Sequence, residues 1–226
     1  MIKEMLTAYN QNPENDAVKS FFQKDNIWKI LNVERYEPSH SAFLVWFFNQ
    51  KSFHHSHLMY FINLLVARAD KQLLHDGWNS TDDMKSFADA VFTGSYNIKT
   101  ASATPELSIN KISKIPSQDR LDVFVRCIIS LYDSYGNAQE KTLEIIIENK
   151  VKAAEGEAKG GKAKDKLSSF TSVEDKYNQL HQTERYYFAC SKQDNNRLKD
   201  DVDYQLFVFL TPDRKECKSE NYILIS

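Results

Sequence analysis

The sequence predicts an α/β fold in which helices flank a central mixed β-sheet. Three observations lead to this prediction. The first half of the chain carries apolar residues at helical spacing, a pair of strand-like runs joined by a turn comes next, and strand and helix patterns then alternate. Helices followed by a hairpin and by alternating elements indicate layers of helix packed on one sheet.

The chain is long enough to bury a sizeable core. It has 226 residues, of which 42% are hydrophobic, which suits one large domain or two small ones. No linker-like stretch divides it. We therefore expect a single domain over residues 1–226, with a helical N-terminal part over about 1–92 and a sheet-containing core over about 93–226.

Charge and cysteine content narrow the functional classes. With Lys+Arg at 29 and Asp+Glu at 31 the net charge is -2, so the chain lacks the basic character of a general nucleic-acid binder, although a local patch remains open. Cys127, Cys190 and Cys217 are far apart and odd in number, which fits a reducing compartment. The N-terminus lacks the apolar core of a signal peptide and no apolar run could span a bilayer. We expect a cytoplasmic protein with no membrane partner.

Three helices are predicted in the first half. Asn15 or Asp16 can cap the first one. The second begins near Pro38, because proline suits the first helical turn, and its residues are apolar nearly all round, so it should be central. The third has one apolar stripe. The stripe residues are Met59, Ile62, Leu65, Val66, Ala69 and Leu73.

Strand patterns dominate after residue 93. The predicted strands are SYNIKT, RLDVFVRCIIS, KTLEIIIENK, YQLFVFLTP and NYILIS. Gly136 and Asn137 form the tip of the turn between the second and third strands. The stretch SVEDKYNQLHQTERYYFAC is predicted to be one helix.

The segment between the third strand and that helix is rich in glycine and lysine. Its glycines, Gly156, Gly160 and Gly161, predict mobility. Residues 150–166 hold six lysines against three acids. Such a segment either tracks a phosphate backbone or is a solvated loop, and its charge alone leaves both open.

Acidic and basic side chains meet at the end of the clearest strand. Residues two apart in a strand point the same way, so Glu148 and Lys150 project side by side. Antiparallel pairing about a turn near Tyr135 places Asp122 opposite Glu148. Two carboxylates repel each other, and a hard cation such as Mg²⁺ relieves that repulsion and activates water. The alternative is a solvated Glu–Lys pair that contributes little.

The order of these motifs resembles the PD-(D/E)XK nuclease superfamily. RLD and EIIIENK correspond to its D…ExK core, and ERYEPSHSAFLVWFF, YNQL, LTP and YILIS correspond to flanking motifs of one branch. The likeness runs from about Glu34 to Ser226. It implies a restriction-endonuclease-like fold and hydrolysis of phosphodiester bonds, with DNA as the expected substrate and Mg²⁺ as the cofactor, or Mn²⁺ in its place. Many such nucleases form homodimers to cut both strands.

The resemblance also implies roles for individual residues at the strand ends. Asp122 and Glu148 correspond to the metal carboxylates, and the backbone carbonyl of Asn149 corresponds to a further ligand. Lys150 corresponds to the catalytic lysine. Leu121 stands where the family name has proline, a change that costs no chemistry.

Two helix residues complete the implied site. Glu37 corresponds to the glutamate that often holds a metal-bound water, and a simple helix cap is the alternative. Gln179 corresponds to the helix glutamine near the site. His40 and Ser41 either hydrogen-bond Glu37 or pack beneath the sheet.

Other features keep further functions open. The chain stops at LIS, where relatives continue into more helices, and this leaves open a catalytically inactive module of the same fold that binds nucleic acid or protein. His54, His55 and His57 fit a loop between helices better than a metal site. Tyr186 and Tyr187 could stack on bases, but the core is the better-supported place for them.

Overall fold

A sheet with helices packed against it makes up the structure, a computed structural model that describes residues 36–50, 55–71, 82–150, 172–192, 195–199, 201–211 and 217–225. The helices are α1 (Glu37–Phe48), α2 (Ser56–Lys71), α3 (Asp82–Thr93), α4 (Val173–Gln179) and α5 (Gln182–Cys190). The strands are β1 (Tyr96–Ser108), β2 (Arg120–Tyr132), β3 (Ala138–Asn149), β4 (Tyr204–Leu210) and β5 (Ile223–Ile225).

The five strands lie in one mixed sheet in the order β1-β2-β3-β4-β5. β1, β2 and β3 pair antiparallel, whereas β4 pairs parallel to both β3 and β5. The predicted restriction-endonuclease-like α/β fold is thus confirmed. Among the described residues, no helix combines the length and apolarity needed to cross a membrane.

The extent of the domain stays a prediction. Glu37–Ser226 cluster as one compact unit. Residues 1–35, with the first predicted helix, lie outside the described residues, as do residues 151–171, which hold the glycine cluster and nearly all of the lysine-rich segment.

The hairpin of β2 and β3 has the predicted register. Val123 pairs with Ile147, which leaves Asp122 opposite Glu148 as the next pair. The turn closes with a hydrogen bond of 3.0 Å from the Gly136 N–H to a backbone carbonyl. Gly136 has a φ of 82°, a conformation that glycine adopts without steric cost.

Residues on the two faces of β3 pack into two different cores. Leu143, Ile145 and Ile147 belong to one cluster with side chains of α1, α2 and α3, whereas Ile146 belongs to a second cluster with α4 and α5. These four side chains are fully buried, and each such burial stabilises the fold by about 1.5–3 kcal/mol. The central strand β3 is therefore covered on both faces.

The prediction that the second helix is central was wrong. In α1 only Ser41 and Phe48 are buried, while Phe43 is 43% and Trp46 57% exposed. A helix on the sheet's face presents only one side to the core, so apolar residues all round leave some in solvent. The aromatic rings pack on one another instead, with Phe43 and Phe47 stacked at 6.0 Å.

The helix predicted over residues 172–190 is two helices. Leu180 has a ψ of 152° and ends α4. The His181 N–H then donates to Glu184 Oε2 at 2.9 Å, and Arg185 Nη1 donates to the Leu180 carbonyl at 2.9 Å. These bonds satisfy polar groups at the break and start a second helix.

Strand β1 and helix α3 differ from the predicted pattern. β1 runs on past SYNIKT to Ser108 and includes Pro105, which an edge strand tolerates because it needs no ladder hydrogen bond on its outer side. Helix α3 was not predicted as a separate element. Its buried residues, Met84, Phe87, Ala88 and Val91, do have helical spacing, so the signal was present in the sequence.

Candidate metal and catalytic site

The helix α1 and the strands β2, β3 and β4 bring the predicted charged residues together at one end of the sheet. Asp122 lies at the start of β2, Glu148 at the end of β3, and Glu37 at the first position of α1. The Lys150 Nζ lies 2.6 Å from Glu148 Oε1 and 3.6 Å from Glu37 Oε2. The Lys150 N–H donates to the Leu210 carbonyl at 2.8 Å. The backbone thus holds the lysine beside both acids.

Asn149 ties the strand ends to the helix. Its N–H donates to Asp122 Oδ2 at 2.8 Å. Its side-chain Nδ2 donates to Ser41 Oγ at 3.3 Å and to the Glu37 carbonyl at 3.4 Å. Both Asn149 and Ser41 are buried, so these bonds fix the start of α1 relative to the end of β3. Ser41 therefore packs beneath the site and bonds to Asn149.

Two buried glutamates on the same face of β3 have different surroundings. Glu144 is fully buried and accepts hydrogen bonds from Arg126 at 2.8 Å, from Arg197 at 3.1 Å and from Gln205 at 3.0 Å. Glu148 is also fully buried, but neither of its carboxylate oxygens has a hydrogen-bond partner in the described part of the chain. The close approach of Lys150 to Oε1 is an ion pair outside hydrogen-bond geometry.

Burial shifts the titration of this cluster. It raises the pKa of Glu148 to about 8, and the charge of Asp122 adds to that shift. It raises the pKa of Asp122 to about 6, against the Asn149 hydrogen bond, which lowers it. Burial alone lowers the pKa of Lys150, but the Glu148 carboxylate outweighs it and leaves that pKa above its usual value. Lys150 is therefore a cation at neutral pH.

These oxygens fit a hard divalent cation. A buried carboxylate without hydrogen-bond partners is costly, and a cation between Glu148 and Asp122 would remove that cost. Mg²⁺ needs only one or two carboxylates, since it keeps several waters. Within the described residues no three His, Cys, Asp or Glu side chains form a ready ligand set, so the predicted pair and the Asn149 carbonyl are the protein's candidate ligands.

Gln179 is the predicted site residue that the structure ties least to the others. It is the last residue of α4. Its Oε1 is buried and has no hydrogen-bond partner among the described residues. Its predicted role in the site stays a prediction.

The histidines and tyrosines considered as alternatives pack against other side chains. The ring of His57 stacks on Phe47 at 4.5 Å, which fits packing at the start of α2. The buried Tyr186 OH donates to the Arg120 carbonyl at 2.9 Å, and Tyr187 lies 4.8 Å from Phe207. Both tyrosines therefore help to build the core. His54 lies outside the described residues.

One polar cluster near the site was missed from the sequence. Asp119 Oδ2 accepts hydrogen bonds from the Tyr177 OH at 2.9 Å and from Arg185 Nε at 3.0 Å. This cluster joins α4 and α5 to the chain just before β2, three residues from Asp122. Its members are distant in sequence, and no local pattern pairs them.

We expect Ser41→Ala to loosen α1 without removing any charged group of the site. The change deletes the acceptor for Asn149 Nδ2 at 3.3 Å, and a buried hydrogen bond of this kind contributes about 1 kcal/mol. Urea unfolding should show a loss of that size. Ser39→Ala, in the same helix and less buried, is the matched control, and equal losses in the two variants would contradict a specific role for Ser41.

Comparison with known proteins gives one match. The family model described as the PD-(D/E)XK nuclease superfamily matches residues 25–222, which is most of the chain. No curated protein and no solved structure gives a significant match.

Proposed function

The chain belongs to the PD-(D/E)XK nuclease superfamily, and on that premise we propose that it is a metal-dependent nuclease that hydrolyses phosphodiester bonds in DNA. The proposed metal ligands are Asp122, Glu148 and the Asn149 carbonyl, with Mg²⁺ or Mn²⁺ as the cation. Lys150, Glu37 and Gln179 are the proposed catalytic residues. DNA is the substrate that the family resemblance leads us to expect.

The observation that carries this proposal is the state of Glu148. The fold satisfies Glu144, four residues earlier on β3, with two arginines and a glutamine. Among the described residues the equally buried Glu148 carboxylate has only the Lys150 ammonium, 2.6 Å from Oε1, as an ion-pair partner, and neither of its oxygens accepts a hydrogen bond. A carboxylate that served stability alone would have partners like those of Glu144. Glu148 is instead suited to bind a group from outside the chain.

The chemistry assigned to the site is attack of water on a phosphodiester. The water oxygen bonds to phosphorus and gives up a proton, the bond from phosphorus to one sugar oxygen breaks, and that sugar oxygen takes a proton. A bound divalent cation supplies positive charge beside the phosphoryl group and lowers the pKa of water. The Lys150 ammonium, held 2.6 Å from Glu148, orients the attacking water and stabilises the negative charge that grows in the transition state.

Cleavage assays on the full-length chain test the proposal. We expect cutting of DNA with Mg²⁺ or Mn²⁺ and none with EDTA. Single- and double-stranded DNA and RNA, tested side by side, identify the preferred substrate, and light scattering shows whether two copies assemble. A well-folded protein that cuts none of these, yet binds nucleic acid or protein equally well after Asp122 and Glu148 are replaced, would instead be an inactive binding module.

The stability of the metal-free protein should fall as the pH rises from about 4 to about 8. The pKa of Asp122 and that of Glu148 are both raised by folding, so the folded state keeps protons that the unfolded state releases. The stability that these two groups contribute is fully present at a pH below their pKa values in the unfolded state. It is lost as the pH rises through their pKa values in the folded state. Melting in EDTA measures this loss.

A divalent cation should reverse the loss, because it binds the ionised carboxylates of the folded state. The Mn²⁺-induced rise in Tm should be larger at pH 8 than at pH 5.5. Glu148→Gln, which cannot ionise, should show a weaker pH slope and little rise with Mn²⁺. Wild-type and Glu148→Gln curves that coincide at both pH values would contradict the prediction.

A further inference from the structure

The backbone of Glu106 has a conformation that is unusual for its residue type. The φ of Glu106 is 49°. In the described part of the chain, His55 is the one other non-glycine residue with a positive φ. Glycine or asparagine adopts this conformation at lower cost. The strand pairing keeps its register on both sides of Glu106, and the backbone does not account for an acid at that position.

The register of the sheet places Glu106 beside the candidate site. Pro105 pairs with Val123 and Leu107 pairs with Leu121, so Glu106 lies opposite Asp122. Asp122 in turn lies opposite Glu148 across the next pair of strands. Three carboxylate residues therefore stand in a row across β1, β2 and β3. Glu106 is exposed, whereas Glu148 is fully buried.

Among the described residues, one cation contacts this row of three acids. That cation is Lys150, whose Nζ lies 2.6 Å from Glu148 Oε1. Glu106 lies close enough to Asp122 for the two carboxylate charges to act on each other. The buried Glu148 oxygens, without hydrogen-bond partners in the described part of the chain, are a separate indication that a ligand belongs in the cluster.

We propose that Glu106 is a positioning residue for the divalent cation, one that accepts a hydrogen bond from a water molecule on that cation at the solvent side of the site. This inference rests on the proposed function. A direct bond is not proposed, because no three acidic side chains in the described residues are arranged around one point. An exposed carboxylate in this position also extends the negative field that attracts the cation.

Mn²⁺ binding to the full-length protein without nucleic acid tests the proposal, with free Mn²⁺ counted by electron paramagnetic resonance. Glu106→Gln keeps the size and the backbone but removes the charge, and it should weaken binding about tenfold. Glu140→Gln is the matched control, because Glu140 is an exposed acid on the same sheet near the turn, paired with Lys99. It should bind Mn²⁺ like the wild type.

Glu106→Gly separates the charge from the backbone. Glycine relieves the positive φ, so Tm should hold or rise while Mn²⁺ binding weakens as much as in Glu106→Gln. Wild-type affinity in Glu106→Gln would overturn the inference, even if Glu106→Gly binds weakly, because the backbone and not the carboxylate would then matter. A wild-type protein that binds no Mn²⁺ would overturn the proposed metal site together with this inference, whereas a Glu106→Gln protein that needs no more Mn²⁺ than the wild type for half-maximal cleavage would overturn the inference alone.

Discussion

Replacing Glu148 with alanine is expected to reduce DNA cleavage to the background rate and to abolish Mn²⁺ binding. The change removes one of only two proposed carboxylate ligands, and with it the positive charge that the cation would place beside the phosphate. Asp122→Ala should have the same two effects. Cleavage of plasmid DNA and Mn²⁺ titration of the same preparations measure them.

The matched control for Glu148 is Glu144 on the same face of the same strand. Glu144→Gln leaves Arg126 and Arg197 without their buried carboxylate, and breaking such a pair costs about 3–5 kcal/mol. Glu148→Gln removes a buried charge whose pKa stays raised because burial outweighs its ion pair with Lys150, so its Tm should hold or rise. Loss of cleavage together with raised stability in Glu148→Gln would show that Glu148 acts in the reaction and not in the fold. A Glu148→Gln protein as unstable as Glu144→Gln would show that Glu148 serves the fold.

Replacing Lys150 with methionine is expected to slow cleavage at least about a hundredfold, the size of effect found when one preorganised transition-state donor is removed. Methionine keeps much of the length of the buried stem. Mn²⁺ binding should be retained or become tighter, because the change removes a cation 2.6 Å from the Glu148 carboxylate. Single-turnover cleavage at saturating Mn²⁺, together with the Mn²⁺ dissociation constant, separates catalysis from metal binding.

Lys141→Met is the control for this change. Lys141 lies near the turn, at the opposite end of β3 from the site, and pairs with Asp203 at 3.1 Å. The Lys141→Met protein should cleave DNA at the wild-type rate. If Lys150→Met also cleaved at the wild-type rate with metal bound, the catalytic role of the lysine would be refuted while the metal site stood.

The hairpin and its charged end were predictable because local signals set them. A run of isoleucines predicts a strand buried on both faces, and the turn with Gly136 sets which residues face each other. Asp122, Glu148 and Lys150 follow from that register alone. Glu37 could be placed only at the start of a helix, and the family resemblance was needed to bring it to the same end of the sheet.

The features that were missed depend on contacts between distant segments or on a single backbone angle. The break at Leu180 depends on Arg185 and Glu184 reaching back to it. The pairing of Asp119 with Arg185 crosses 66 positions. The left-handed φ of Glu106 contradicts the residue's own preference, so no propensity could predict it. The exposure of Trp46 depends on which side of α1 meets the sheet.

The difference between the two buried glutamates has a consequence for how copies of this gene would decay. If selection for the site lapsed, an uncharged residue of similar volume at Glu148 would cost little stability, because burial disfavours this charge more than Lys150 favours it, so neutral drift would remove that carboxylate early. Glu144 would persist, since every substitution there strands two arginines. A lineage that had lost the activity but kept the fold would then carry Glu144, Arg126 and Arg197 without Glu148, and a copy that retains Glu148 is one in which something other than folding keeps it.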